Sequence, residues 1–230
     1  MIIDFHVHTK YSFDACIDPG KLIQVAKIRR LDGIAVTDHD TTRGWGSFSN
    51  VDSLKIIQGI ERTTDHGSII GLFLNEMIKS QGFWETIDEI QSQDGVVVLP
   101  HPCDSLRSDT PQIDLLDRES LKARIDAVEV FNSRCVLSRF NKKAEKVAED
   151  LNLHRIGGSD AHTIREVGNA RTLFDCGSLE EIHVKLKKQN PINTIVQGRH
   201  SSRFVHLSSF LNRRKGKSTG DTAETRSPNQ

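Results

Sequence analysis

The chain has only four cysteines in 230 residues, and Cys16, Cys103, Cys135 and Cys176 include no C-x-x-C pair. A zinc ribbon or a dithiol redox motif therefore has no support, and scattered free thiols in a reducing compartment are expected. Long apolar runs are missing too. None approaches the ~20 residues that cross a bilayer, and no basic stretch leads into an apolar signal segment. The expected location is the cytoplasm, with no membrane partner. Excess charge is also absent: Lys+Arg and Asp+Glu both total 31. Nothing in that balance calls for a long nucleic-acid track. No internal repeat is present.

What is there is an alternation of short apolar runs and helix-like segments. Strands are predicted over residues 2–7, 33–36, 54–60, 68–74, 96–99, 127–131, 155–158 and 171–174, with a last one near Ile195 and Val196. The 68–74 run reads as a hairpin partner of the one before it. Helices are predicted over 19–30, 85–93, 140–151 and 179–188, the first with Asp18 as N-cap and Pro19 opening it. This order predicts an α/β fold with a largely parallel sheet, and the number of strands suggests a barrel. One domain is expected over 1–211. From Asn212 the chain turns to Arg, Lys, Ser, Thr and Gly, and a disordered polar tail is expected over 212–230.

The chemistry lies where the polar residues fall. The first apolar run leads into Asp4, His6 and His8, and the second into Asp38, His39 and Asp40. Glu61 ends the third. His101 follows the 96–99 run, the 127–131 run carries Glu129 ahead of Asn132, and Asp160 and His162 follow the 155–158 run. In an α/β barrel the strand C-terminal ends form one rim, so these side chains would converge on one cavity. His6 and His8 are two apart and share a strand face, and Asp160 and His162 would do so if their strand extends that far. Singly, each residue is ordinary: a lone His is more often a satisfied core or surface residue, and Asp-His-Asp can be a solvated turn. Together they make a metal site the better reading. Imidazoles mixed with carboxylates suit zinc, manganese or iron, and the size of the set suggests more than one ion. His154, His183, His200 and His206 stand apart from any such motif.

These stretches carry a resemblance. Asp4-Phe5-His6-Val7-His8-Thr9 with Ser12, Gly33 to Asp40, Gly59-Ile60-Glu61, His101-Pro102, Glu129 to Asn132, and Gly158-Ser159-Asp160-Ala161-His162-Thr163 resemble, in order, the motifs of the PHP family, named for polymerase and histidinol phosphatase. The resemblance implies a distorted (β/α)7 TIM-like barrel with two or three divalent metal ions. It implies His6, His8, Glu61 and Asp160 as ligands of a first ion, Glu61 and His101 of a second, and Asp14, His39 and His162 of a third. The sequence departs from the family in one strand: Ser68-Ile69-Ile70-Gly71 lacks the histidine many members carry, with His66 two residues earlier. Asn132 stands near where some members place a second-metal ligand.

The function this implies is a metal-dependent phosphoesterase. A small-molecule phosphate monoester is the expected substrate and a metal-bridging hydroxide the expected nucleophile. Arg134 is read either as a bidentate phosphate clamp or as a surface arginine. Asp38 either orients His39 or fixes its turn, and His39 and His162 are the expected catalytic imidazoles. The leaving-group acid is open among His162, Asp40 and a metal-bound water. The main alternative is a phosphodiesterase or 3'-5' exonuclease on nucleotides or short nucleic acids. An amidohydrolase-like enzyme and a non-catalytic metal-binding module are weaker ones. Residues 41–52 and 104–117 are the long loops that would wall the pocket.

Overall fold

The computed structural model describes residues 1–201. The expected boundary at 211, the tail over 212–230 and His206 lie outside the described residues.

Strands β1 (Ile2–Val7), β2 (Gly33–Val36), β3 (Lys55–Thr64), β4 (Gly67–Leu72), β5 (Val96–Leu99), β6 (Ala127–Asn132) and β7 (His154–Gly158) form the barrel wall, and β8 (Ala170–Leu173) and β9 (Ile195–Gly198) extend it. All residues of β2, β4 and β5 are buried. Strands covered on both faces read as continuous apolar runs, which is why these segments are visible in the sequence. Helices α1 (Pro19–Ile28), α2 (Phe83–Ser92), α3 (Arg118–Arg124), α4 (Ser138–Leu151) and α5 (Leu179–Leu186) connect them. The Asp18 carboxylate accepts hydrogen bonds from the backbone N–H groups of Gly20 and Lys21, with Pro19 at the first turn, so α1 starts where expected. Helix α4 ends on Asn152 in the left-handed region, φ 57°.

The sheet order is β7-β6-β5-β4-β3-β2-β1-β8-β9. Strands β1, β2 and β3 are mutually parallel, as are β5, β6 and β7. Strand β4 is antiparallel to both neighbours, the hairpin read from the sequence. The ring nearly closes at the free edge of β1. Its lower half pairs with β8, at Ile2 and Ile3, while Val7 bridges Ala161 just beyond β7. The His8 N–H donates to the Ala161 carbonyl at 3.0 Å. The barrel is thus mixed rather than largely parallel, because β8 and β9 also run antiparallel to their partners. Helix α3 has no counterpart in the sequence reading. It is seven residues long and buries only Leu121, too little for a visible period.

One apolar cluster takes Ile3, Ala35, Ile57, Leu72, Val98, Ala127 and Ile156, one residue from each of β1 to β7. A cluster to which every wall strand contributes can only lie inside the ring. It fills the barrel and leaves the polar residues at the rim above it.

Closure demands a close approach at Gly158. A Cβ there would collide with the Cβ of His6 and the Glu129 carboxylate, and lie 3.1 Å from the His6 backbone nitrogen. Gly158→Ala is therefore expected to destabilise the fold by about 1–3 kcal/mol, the usual cost of overpacking, and to shift His6. Denaturant unfolding measures the first effect and metal titration the second; wild-type values in both would show that the wall yields there.

Candidate metal centre

The rim residues do meet. His6 Nε2, His8 Nε2 and Glu61 Oε2 form one group, and Asp160 Oδ1 approaches both rings. The two imidazole nitrogens are 2.9 Å apart, Glu61 Oε2 is 3.0 and 3.2 Å from them, and Asp160 Oδ1 is 3.6 and 3.4 Å from them. Ligands about 2.1 Å from an ion at the centre of a tetrahedron are themselves roughly 3.4 Å apart. His6, His8 and Glu61 thus form a group able to hold such a cation, with the Asp160 carboxylate beside both rings. All four side chains are buried.

The ring orientations support the same use. His6 Nδ1 donates to Glu129 Oε1 at 3.1 Å, and His162 Nδ1 donates to the Asp160 carbonyl at 2.9 Å. Ser12 Oγ donates to Asp38 Oδ1 and accepts from the His39 backbone N–H, which leaves it as acceptor for His8 Nδ1 at 3.0 Å. With each Nδ1 proton held by the protein, the Nε2 lone pair is left for a cation.

Further groups border this cluster. Glu61 Oε1 lies 3.2 Å from His101 Nε2, and Asp109 joins these two within 4.8 Å. Asp14 Oδ2 is 3.1 Å from His162 Nε2 and 3.7 Å from His39 Nε2. His8, His39 and His162 also form a group able to hold an ion. Asp160 and His162 reach the cavity without a strand. Strand β7 stops at Gly158, and Asp160 takes φ 53°.

Other sequence-predicted residues are placed differently. Asp38 receives the Thr9 N–H at 2.6 Å, the Thr9 hydroxyl at 2.7 Å and Ser12, so it fixes the loop after β1 and reaches His8 and His39 only through Ser12. Asp40 is engaged by Arg62 at 2.7 Å and by Thr63. Arg134 is 4% exposed, which rules out the surface-arginine reading, and its Nε lies 3.4 Å from Glu166 Oε1. His66 sits in the β3–β4 turn, edge-on to Phe83, and among the described residues it joins none of the groups able to hold an ion. The Asn132 side-chain amide donates to Glu129 and Asp160, so it supports ligands rather than facing the cavity as one.

Besides Ser12 and Glu166, which brace the His8 ring and the His162 turn, three residues with a place at the site drew no role from sequence. Glu129 supports His6 and also accepts the His101 backbone N–H at 2.8 Å. Arg107 forms an ion pair with Asp160, and Asp109 belongs with Glu61 and His101. Glu129 was visible as an acid inside an apolar strand. Arg107 and Asp109 lie in a loop, where no period marks which side chains turn inward.

Electrostatics divides the imidazoles. Burial disfavours the charged form of each. At His8, hydrogen bonds to Asp160 and Glu61 outweigh it and push the pKa up to about 9. At His6, the charges of Asp160, Glu129 and Glu61 hold it well above the usual imidazole value. Only one proton fits between Nε2 atoms 2.9 Å apart, so the two rings titrate as a pair. Burial lowers His39, and burial with the charges of His8 and Arg134 brings His162 down to about 3. Glu61 and Asp160 are held well below the carboxylate range despite burial, Glu61 by His39 and His6, and Asp160 by Arg107 and His6.

Two outcomes follow from this geometry. Glu129→Gln is expected to weaken binding of Mn²⁺ or Zn²⁺ about 10–100-fold, as loss of a ligand's supporting carboxylate does; unchanged affinity in a calorimetric titration would contradict that role. The excess proton on the His6–His8 pair must leave before a cation enters. Metal uptake near neutral pH should therefore release protons, and apparent affinity should climb as pH rises toward about 9. In the metal-free protein the sign is opposite: the raised pKa stabilises the fold at low pH, and that contribution is lost as pH passes through about 9. An affinity that is flat with pH would refute the pairing.

Comparison with known proteins agrees with the fold. Residues 4–93 match the PHP domain family, and residues 138–191 match the PHP-associated family. The uncharacterized protein MJ0417 of Methanocaldococcus jannaschii is 33% identical over 183 residues, 79% of this chain and 73% of that protein. Among solved structures, a two-domain protein from Bacteroides vulgatus containing a predicted PHP-like metal-dependent phosphoesterase superposes with a TM-score of 0.62 at 20% identity, covering 93% of this chain and 69% of that one. Endonuclease Q, in complex with a 27-mer duplex carrying an abasic lesion, superposes with a TM-score of 0.61 at 17% identity, covering 81% of this chain and 57% of that one. With its motifs in family order on the rim of a nearly closed barrel, the chain belongs to the PHP domain family.

Proposed function

We propose that this protein is a metal-dependent phosphoesterase that hydrolyses a phosphate monoester of a small molecule. The observation that carries the reading is the buried group of His6, His8 and Glu61 with Asp160 against both rings, beside a Glu61–His101–Asp109 group and a His8–His39–His162 group. Divalent cations bound there would supply Lewis acidity, neutralise phosphoryl charge and lower the pKa of water. His6, His8, Glu61 and Asp160 would hold one ion, and Glu61, His101 and Asp109 a second. Asp14, His39 and His162 would hold a third if one binds.

The chain's own part is orientation and exclusion. Glu129, Ser12 and the Asp160 carbonyl fix the rings. Glu166 receives the N–H groups of His162 and Thr163, and Arg134 backs it. Enclosure supports a terminal phosphate. Apart from the half-buried Asp109, the candidate ligands are at most 8% exposed, the highest being His39, beside which Phe13 stands 54% exposed at the mouth. A terminal phosphate enters such a pocket end-on, whereas an internal diester brings a substituent on each side.

The test uses protein purified without chelator, its bound metals measured, assayed on chromogenic monoester and diester phosphates with added Mn²⁺ or Zn²⁺. Monoester turnover abolished by chelator is expected. Asp160→Ala should lose metal and turnover while its far-ultraviolet spectrum stays that of the wild type. Preference for the diester would move the assignment to nucleotides or short oligonucleotides. Bound metal with neither activity would sink the phosphoesterase reading, and full activity in Asp160→Ala would sink the ligand set.

A further inference from the structure

Two arginines approach the centre, and they are placed for different work. Arg134 is buried behind Glu166, which in turn holds the backbone of the His162 turn, so its charge stabilises the wall. Arg107 comes from the segment between β5 and α3, and its side chain keeps 17% of its surface exposed. Its guanidinium pairs with Oδ2 of Asp160, the oxygen turned away from His6 and His8, while Oδ1 faces those rings at 3.6 and 3.4 Å. Asp109, two residues along, belongs to the Glu61–His101 group. One loop therefore reaches both parts of the cluster.

The charges explain what this contact can become. A buried carboxylate needs a positive partner, and Arg107 supplies one to Asp160. A divalent cation on Oδ1 would take over that neutralisation and weaken the carboxylate's hold on the guanidinium. Arg107 would then be a cation at the rim beside the metals, with a planar fork that matches two phosphate oxygens. We propose that Arg107, rather than Arg134, is the phosphate-binding arginine of this site, and that it exchanges Asp160 for the substrate's phosphoryl oxygens. The assignment rests on the phosphoesterase reading, and it makes the 104–117 loop a part of substrate recognition.

The test compares wild type, Arg107→Met and Arg107→Lys. Each is titrated calorimetrically with Mn²⁺ and, once loaded, with inorganic phosphate. Arg107→Met should take up Mn²⁺ at least as tightly as wild type, because a competing cation is gone. Its affinity for inorganic phosphate should fall roughly ten- to hundredfold, the range for a lost charged hydrogen-bonded contact. Arg107→Lys should recover part of that loss, because it keeps the charge without the fork. On a hydrolysed monoester the Met variant should raise KM more than it lowers kcat. Unchanged phosphate affinity would overturn the proposal. So would weakened Mn²⁺ binding in Arg107→Met, which would make the arginine a scaffold for Asp160. Wild-type protein that is loaded but binds no phosphate would also overturn it. Phosphate binding that depends on Arg107, without turnover of any ester, would leave the clamp standing and sink the phosphoesterase reading instead.

Discussion

Burial of Glu61, Asp160 and Asp14 in one cavity is the constraint on which the rest of this structure depends. Each is at most 1% exposed. A carboxylate taken out of water without a partner costs several kcal/mol, so the cavity must also bring positive charge. It does so with the proton held by the His6–His8 pair and with Arg107 on Asp160. Neither is a strong stabilising device, since burying a cation has its own desolvation cost. The arrangement makes sense as one in which these cations stand where divalent ions are to bind.

The barrel can impose this because it fixes backbone before side chains. His6 and His8 follow the apolar half of β1, Glu61 lies in β3, Glu129 lies in β6, and Asp160 stands just past the end of β7. Beneath them the apolar cluster shared by β1 to β7 prevents the ring from collapsing inward. Above it, Gly158 lets the end of β7 come against β1, so that Asp160 can face His6 and His8 across the seam. The seam also explains the pairing of Val7 with Ala161: β8 occupies only the lower part of the β1 edge, and the upper part is left to the Asp160 turn.

Much of this was legible in the sequence, for a physical reason. Fully buried strands such as Gly33–Val36 and Val96–Leu99 must be apolar throughout, so a histidine or acid at their ends stands out. Of the residues at the strand ends, His6, His8, His39, Glu61, His101, Asp160 and His162 come together, whereas Asp38 and Asp40 turn to other partners, and Asp14 and Asp109 join from loops. What was not legible depends on contacts between segments far apart in the chain. Nothing local in Arg134 says that it is buried against Glu166, and nothing in Asp38 says that it turns to Thr9 and Ser12. Arg107 reaches Asp160 across 53 positions of chain from a loop without period. The antiparallel run of β8 was hidden because a four-residue strand of alternating burial reads the same in either direction.

The division between wall and loop has a consequence for how the site works. The wall residues are over-determined: His6 is held through Glu129, and His8 and His39 through Ser12 and Asp38. Such support suits groups that must keep one geometry. The loop contact is a different kind of interaction, an ion pair of Arg107 to a carboxylate that a bound metal would also draw upon, with Asp104 3.9 Å from the same guanidinium. By linkage, whatever loosens Arg107 from Asp160 favours the metal, and whatever fills the metal position loosens Arg107 to the same extent in free energy. Charge neutralisation, which the fold needs in order to bury three acids, is then the same quantity that couples metal occupancy to the residue facing the substrate.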